Sequence, residues 1–308
     1  MNIPKKSDTE GEIDFSAIIS LIFAERKTLF KASIFSGLLS IFIALSLSNY
    51  YKSTAILEIY DSSSSMSSLG QYGDLASVVG ISLPSDTQSK STRVMETIKS
   101  RDFITHLILK ENIVPSLMAA DKYDDKSEKI IFDSSKYDEQ NDQWKNTFFS
   151  RSEPKPTNLD VHRKYIKDIM TISNDRRSGL IFISVEHLSP VFAKEFLELI
   201  INEANSLLRE NDLKESSDAL IYLESELSKT SLIEIKDSLN KLIQSQLETQ
   251  MLAKISNDYV LKAIESPYLP EKKSKPSRAI ICIVITLSGF LFTTMWVLVR
   301  HFLIEDKT

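Results

Sequence analysis

Residues 266–299 read SPYLPEKKSKPSRAIICIVITLSGFLFTTMWVLV. Ala279 to Val299 carries no charge. At 1.5 Å per residue, such a helix covers roughly 31 Å, the hydrocarbon thickness of a bilayer. Arg278 and Arg300 bracket it, and Trp296 sits where an interfacial aromatic belongs. The run is therefore read as a membrane span. Upstream of it Pro267, Pro270 and Pro276 interrupt any helix, and Lys272, Lys273, Lys275 and Arg278 gather positive charge.

A second apolar run, ASIFSGLLSIFIALSLSNYY (32–51), is also uncharged. A cleaved signal peptide is the rival reading, since Ala44-Leu45-Ser46 resembles a small-residue cleavage site. The segment before it contains Asp8, Glu10, Glu12, Asp14 and Glu25, unlike a short basic leader, which favours an uncleaved anchor. Ala32, Ser36, Ser40, Ala44 and Ser48 recur every fourth residue with Gly37 beside them. Small residues so spaced let helix backbones approach closely in lipid, within or between subunits.

Two spans put both termini on one side. Arg26, Lys27 and Lys31 precede the first span and only Lys52 follows closely, which predicts a cytoplasmic N-terminus. The charges around the second span point the opposite way, but the segment between the spans far exceeds the roughly 60 residues over which the rule holds. The expected order is a cytoplasmic segment (1–31), a first span (32–51), a periplasmic domain (52–278), a second span (279–299) and a cytoplasmic tail (300–308).

The central segment is poor in breakers. The chain has 308 residues with only 7 Gly and 9 Pro, which favours long helices over a turn-rich all-β fold. YKSTAILEIYD (51–61) and GLIFISVEH (179–187) alternate as strands. Residues 87–112 and 155–175 read as helices, and the acidic stretch 121–157 as solvated surface. Ser189 followed by Pro190 is a helix start. From there to about Ile264 one very long helix is expected, with Ser231-Leu232-Ile233-Glu234 marking a possible capping-box break near 229–231. Leu232, Ile235, Leu239 and Leu242 step like a coiled-coil seam. An amphipathic helix on its own domain would show the same pattern. A helix of that length favours a partner subunit instead. The expected fold class is an α/β extramembrane domain with a very long extended helix, anchored by two transmembrane helices.

The single cysteine, Cys282, makes no intrachain disulfide. His106, His162, His187 and His301 lie far apart, with no metal-ligand spacing. Phosphate loops, dinucleotide fingerprints and nucleophile elbows are missing, so neither a cofactor nor catalysis is expected. The net charge is −5 and no basic stripe is interleaved with aromatics, which argues against nucleic acid. The short segments outside the spans are not expected to hold a kinase or other output domain.

Several stretches together resemble the Wzz-type chain-length determinants, or polysaccharide co-polymerases, of bacterial inner membranes. They are IDFSAIISLIFAERKTLF (13–30), YKSTAILEI (51–59), the apolar loop LASVVGISL (75–83), IKSRDFITHLILKENIVPSLM (98–118), GLIFISVEHLSPVFAKEFLELIINEAN (179–205) and SPYLPEKKSKPSRAI (266–280). The resemblance implies a ring-like homo-oligomer and control of the length of O-antigen or a related surface glycan. It implies as partners a membrane polysaccharide polymerase, lipid-linked glycan and the bilayer. A capsule or exopolysaccharide export adaptor paired with a separate tyrosine kinase is the second reading. A ligand-binding sensor ectodomain is an alternative of another class, and a membrane-tethered glycan hydrolase a further one.

Overall fold

The computed structural model describes residues 23–59, 87–145, 154–175, 177–255 and 258–305. The loop LASVVGISL and most of residues 1–31 lie outside the described residues. The chain divides into two compact units, residues 1–49 with 275–308, and residues 50–274.

The first unit pairs α1 (Arg26–Ser46) with α8 (Arg278–Glu305). Both are long and apolar enough to cross a membrane, over Arg26–Ser46 and Arg278–Arg300. The first helix stops at Ser46, where Leu47 turns extended, and strand β1 (Tyr50–Ile59) includes Tyr50 and Tyr51. The expected span end at residue 51 is thus corrected, and Ser48 lies beyond the helix.

The second unit is built on an antiparallel sheet. β1 pairs with β7 (Ile181–His187), which pairs with β6 (Met170–Asn174), and β8 (Leu261–Glu265) pairs along β1. A short β9 (Lys273–Lys275) also pairs with β1. The α/β expectation is therefore refined to an antiparallel sheet with helices packed against it. Alternation decides the core face. Ala55, Leu57 and Ile59 of β1 and Ile181, Ile183 and Val185 of β7 point inward, while Lys52 and Glu58 face outward.

Helices cover that face. Residues 87–112 form two helices, α2 (Thr87–Lys99) and α3 (Arg101–Lys110), because Ser100 caps the second by accepting from Phe103 N at 3.1 Å. α4 (Val114–Ala119) follows. Phe103, Ile104 and Leu107 enter the same core as the sheet. Residues 155–175 are only partly helical. α5 (Asn158–Lys164) has a Thr157/Asp160 capping box and gives way to a π turn (Tyr165–Ile169), then to β6. The hydroxyl of buried Tyr165 donates to Ile98 O at 3.2 Å. Burial pushes that phenol well above its ordinary range. At the β6–β7 turn Gly179 takes φ +73°, a left-handed backbone that suits glycine.

The acidic stretch is not plain surface. It folds into two small hairpins, β2 (Ala120–Asp124) with β3 (Lys129–Phe132), and β4 (Tyr137–Asp138) with β5 (Gln143–Trp144). The Asp124, Asp133 and Asp138 carboxylates accept from residues two and three positions on, closing the turns. Tyr137 packs edge-on to Phe132 and beside Trp144, which anchors the second hairpin.

Candidate functional site

The expected single helix from 190 to 264 is two helices and a strand. α6 (Pro190–Lys229) has 40 residues and α7 (Ile233–Ile255) has 23. They are roughly 60 and 35 Å long. Ser189 Oγ accepts from Phe192 N at 3.2 Å and Pro190 fills the first position, so the start lies where the sequence marks it. His187 holds that start. Its Nδ1 accepts from Ser189 N at 3.1 Å, leaving Nε2–H to donate to Ser116 O at 2.9 Å. Burial pushes this imidazole down to about 4, so it is neutral.

The break falls at Thr230–Leu232, where Thr230 turns extended. The first helical bond of α7 runs from Lys236 N to Leu232 O, so Leu232, not Ser231, is the cap. α7 then folds back along α6. Leu223 packs with Leu239 and Leu242. Further along the return, Tyr259 OH donates to Asp212 Oδ2 at 2.9 Å, and Asn205 meets residues 260–261. Partner numbers fall along α6 as they rise along the return, so the pair is an antiparallel hairpin.

Asn205 is the clamp at its base. Its buried amide accepts from Val260 N and Leu261 N at 3.1 and 2.8 Å, and donates to Leu261 O at 2.9 Å. It thus mimics a strand neighbour and seats β8. Arg93 adds ion pairs to Asp212 and Glu215. His106 bonds Glu203 at 2.6 Å, and His162 bonds Lys99 O, so these histidines serve local structure.

The four-residue seam divides. Leu239 and Leu242 are buried against Leu223 of the same chain, which corrects their assignment to a partner subunit. Leu232 and Ile235, at 62% and 45% exposure, remain open at the hairpin's tip.

Within the span unit the small-residue stripe faces α8. Ser40 and Ala44 are buried, and Ala32, Ser36 and Gly37 half-buried, while Leu38, Ile41 and Phe42 lie outside. A Cβ at Gly289 would sit 2.5 Å from Ser36 Cβ, and one at Gly37 would sit 3.9 Å from Thr286 Oγ1. The helices run antiparallel, since the end of α1 reaches the start of α8. There Arg278 Nη2 donates to Asn49 Oδ1 at 3.1 Å. Cys282 is half-buried within α8.

The proline-rich segment follows β8 rather than a helix. Pro270 is buried, Pro267 and Pro276 are half-buried, and Lys272, Lys273 and Lys275 are exposed. Ser53 Oγ donates to Tyr268 O at 2.8 Å, tying the segment alongside β1. The Lys275–Pro276 bond is cis.

Comparison with known proteins adds three likenesses. The chain is 26% identical over 111 residues to the capsule polysaccharide export inner-membrane protein KpsE of Escherichia coli. That match covers 33% of this chain and 29% of KpsE, so it spans less than a third of that relative. A solved full-length bacterial polysaccharide co-polymerase has a TM-score of 0.40 at 14% identity, covering 96% of this chain and 99% of that one. A fragment of WzzB, the polysaccharide co-polymerase of Salmonella Typhimurium, has a TM-score of 0.28 at 15% identity, covering 74% and 100%. The matched proteins are polysaccharide co-polymerases and a capsule export protein. No family model matches the chain. Asn205, His187, Leu223, Asn49 and Gly289 were not singled out by the sequence. Only Gly289, a lone glycine in an apolar run, carried a signal, that of a close helix approach.

Proposed function

We propose that this chain is a non-enzymatic polysaccharide co-polymerase of the inner membrane, regulating the length of O-antigen or a related surface glycan. Its two spans anchor a periplasmic unit, with both termini cytoplasmic. Copies assemble into a ring-like homo-oligomer that holds a membrane polymerase, or the growing lipid-linked glycan, until a length set by the assembly's geometry is reached. The observation that carries this reading is the ordered set of motifs resembling co-polymerases, which ends in the proline-rich segment before α8. The match to an inner-membrane capsule polysaccharide export protein supports it, as do two apolar helices that bracket one folded unit. The exposed Leu232 and Ile235 at the hairpin tip offer apolar surface for subunit contact.

The prolines and cations before α8 are assigned the tilt of each subunit. Replacing Pro267 and Pro270 together by Ala is then expected to change glycan length while membrane insertion is intact. Unchanged length in a normally inserted variant removes that role.

The reading is tested on a gel of surface polysaccharide from a strain lacking the gene, beside its parent and a complemented strain. A clustered ladder of long chains that turns random and short, and is restored by the gene, supports length control. An unchanged ladder with loss of capsule supports the export adaptor instead. No change in either glycan refutes both.

A further inference from the structure

Arg278 opens α8 and Asn49 lies just past the end of α1, so both stand at one end of the antiparallel pair. The bond from Arg278 Nη2 to Asn49 Oδ1 fixes the guanidinium in place. Asn49 is neutral, so it orients the cation without compensating its charge. Among the described residues no carboxylate pairs with Arg278, and its Nε, shielded from solvent, has no acceptor. With no counter-ion among the described residues, the half-buried guanidinium carries an uncompensated charge. Lys275, three residues earlier, is exposed and adds a second cation.

The position selects the chemistry. α8 is long and apolar enough to cross a bilayer, so its first residue lies where hydrocarbon gives way to headgroups. The anion concentrated in that layer is lipid phosphate. A guanidinium offers planar, paired N–H donors that match two oxygens of one phosphate.

We propose that Arg278, oriented by Asn49 and assisted by Lys275, binds the phosphate of an anionic lipid at the mouth of the α1–α8 pair. The site rests on reading α1 and α8 as membrane spans, and it deepens the proposed function by naming a lipid that the spans select. Asn49 is a positioning residue and Arg278 the direct ligand.

The full chain, extracted from membranes in mild detergent, is offered equal amounts of phosphatidylglycerol and phosphatidylcholine, and bound lipid is counted by native mass spectrometry. Phosphatidylglycerol is expected to be retained preferentially. R278Q and K275Q should each weaken that retention about five-fold, and R278K, which keeps the charge but loses the paired donors, should fall between R278Q and the unchanged chain. N49D places a competing carboxylate on the guanidinium and should reduce retention while keeping Arg278 itself. It therefore reads the site even where R278Q does not insert. R300Q, at the far end of α8, should leave retention unchanged. Equal retention of the two lipids overturns the site, as does an equal loss in R300Q. Displacement of the lipid by excess inorganic pyrophosphate overturns the assignment to a lipid and gives the site to a free phosphate. A chain that does not fractionate with membranes at all refutes the spans instead.

Discussion

Replacing Leu242 by Ala tests whether α7 belongs to its own chain. Leu242 is 3% exposed and packs with Leu223 and Leu239, with Leu227 and Ile243 at the edge. The change removes three carbons worth about 0.8 kcal/mol each, and the cavity left behind adds to that. The expected cost is about 2.5–4 kcal/mol. This cluster is separate from the main core, which ends along α6 at Leu208, so the loss falls on the distal part of the hairpin. Hydrogen exchange on the full chain in detergent should then show α7 and residues 220–229 losing protection by roughly two to three powers of ten. Amides of β1 and β7 should keep theirs. If α7 protection is unchanged while the oligomer falls apart, Leu242 sits between subunits and the intrachain hairpin is refuted.

Other perturbations follow from the same geometry. His187 is held neutral, with its value depressed from 6.5 to about 4, so the unfolded chain takes the proton first. Its contribution is complete above about pH 7 and is lost as pH falls through 6.5 toward 4, costing about 2 kcal/mol by pH 5. H187Q should flatten the fall in denaturation midpoint between pH 8 and 5, and an unaltered slope would exclude His187 as its source. N205L leaves the Val260 and Leu261 amides and the Leu261 carbonyl without their side-chain partner, at about 2–5 kcal/mol. Exchange at residues 259–265 should rise, and a protected β8 would show that Asn205 is not its clamp. G289A drives a methyl to 2.5 Å from Ser36 Cβ and should cost about 1–3 kcal/mol, read as a lowered thermal midpoint in detergent. S36G should restore it, and failure of that rescue would place the clash elsewhere.

The elements legible in the sequence are those with a long or strictly periodic signal. An uncharged run the length of a bilayer needs no context, and neither does a strand with Ile181, Ile183 and Val185 on one side. Ser189-Pro190 likewise marks its helix start by local chemistry alone. A heptad-like stripe has the same form whether its partner lies in the same chain or another, so Leu239 and Leu242 look like Leu232 and Ile235 in sequence although they pack with Leu223. LKAIE carries neither glycine nor proline and reads as a continuation of the long helix, and its strand form rests on partners distant in sequence, β1 and the Asn205 amide. The hairpins in the acidic stretch leave little trace in the sequence for the opposite reason. Their charged side chains close turns, and their packing rests on three scattered aromatics, Phe132, Tyr137 and Trp144. His187 shows the limit most plainly. In sequence it ends a strand, and its three-point role as acceptor, donor and ring tilted against Phe192 exists only in the fold.

In the proposed function this chain sets glycan length without making or breaking glycosidic bonds. The most direct measurement reconstitutes a purified polysaccharide polymerase with lipid-linked repeat units, with and without this chain, and records the product length distribution. The account predicts a broad distribution of short products from the polymerase alone and a clustered longer mode when the chain is added. The chain by itself should leave both repeat units and finished polymer unchanged. An unaltered distribution, or cleavage or extension of glycan by the chain alone, would contradict it.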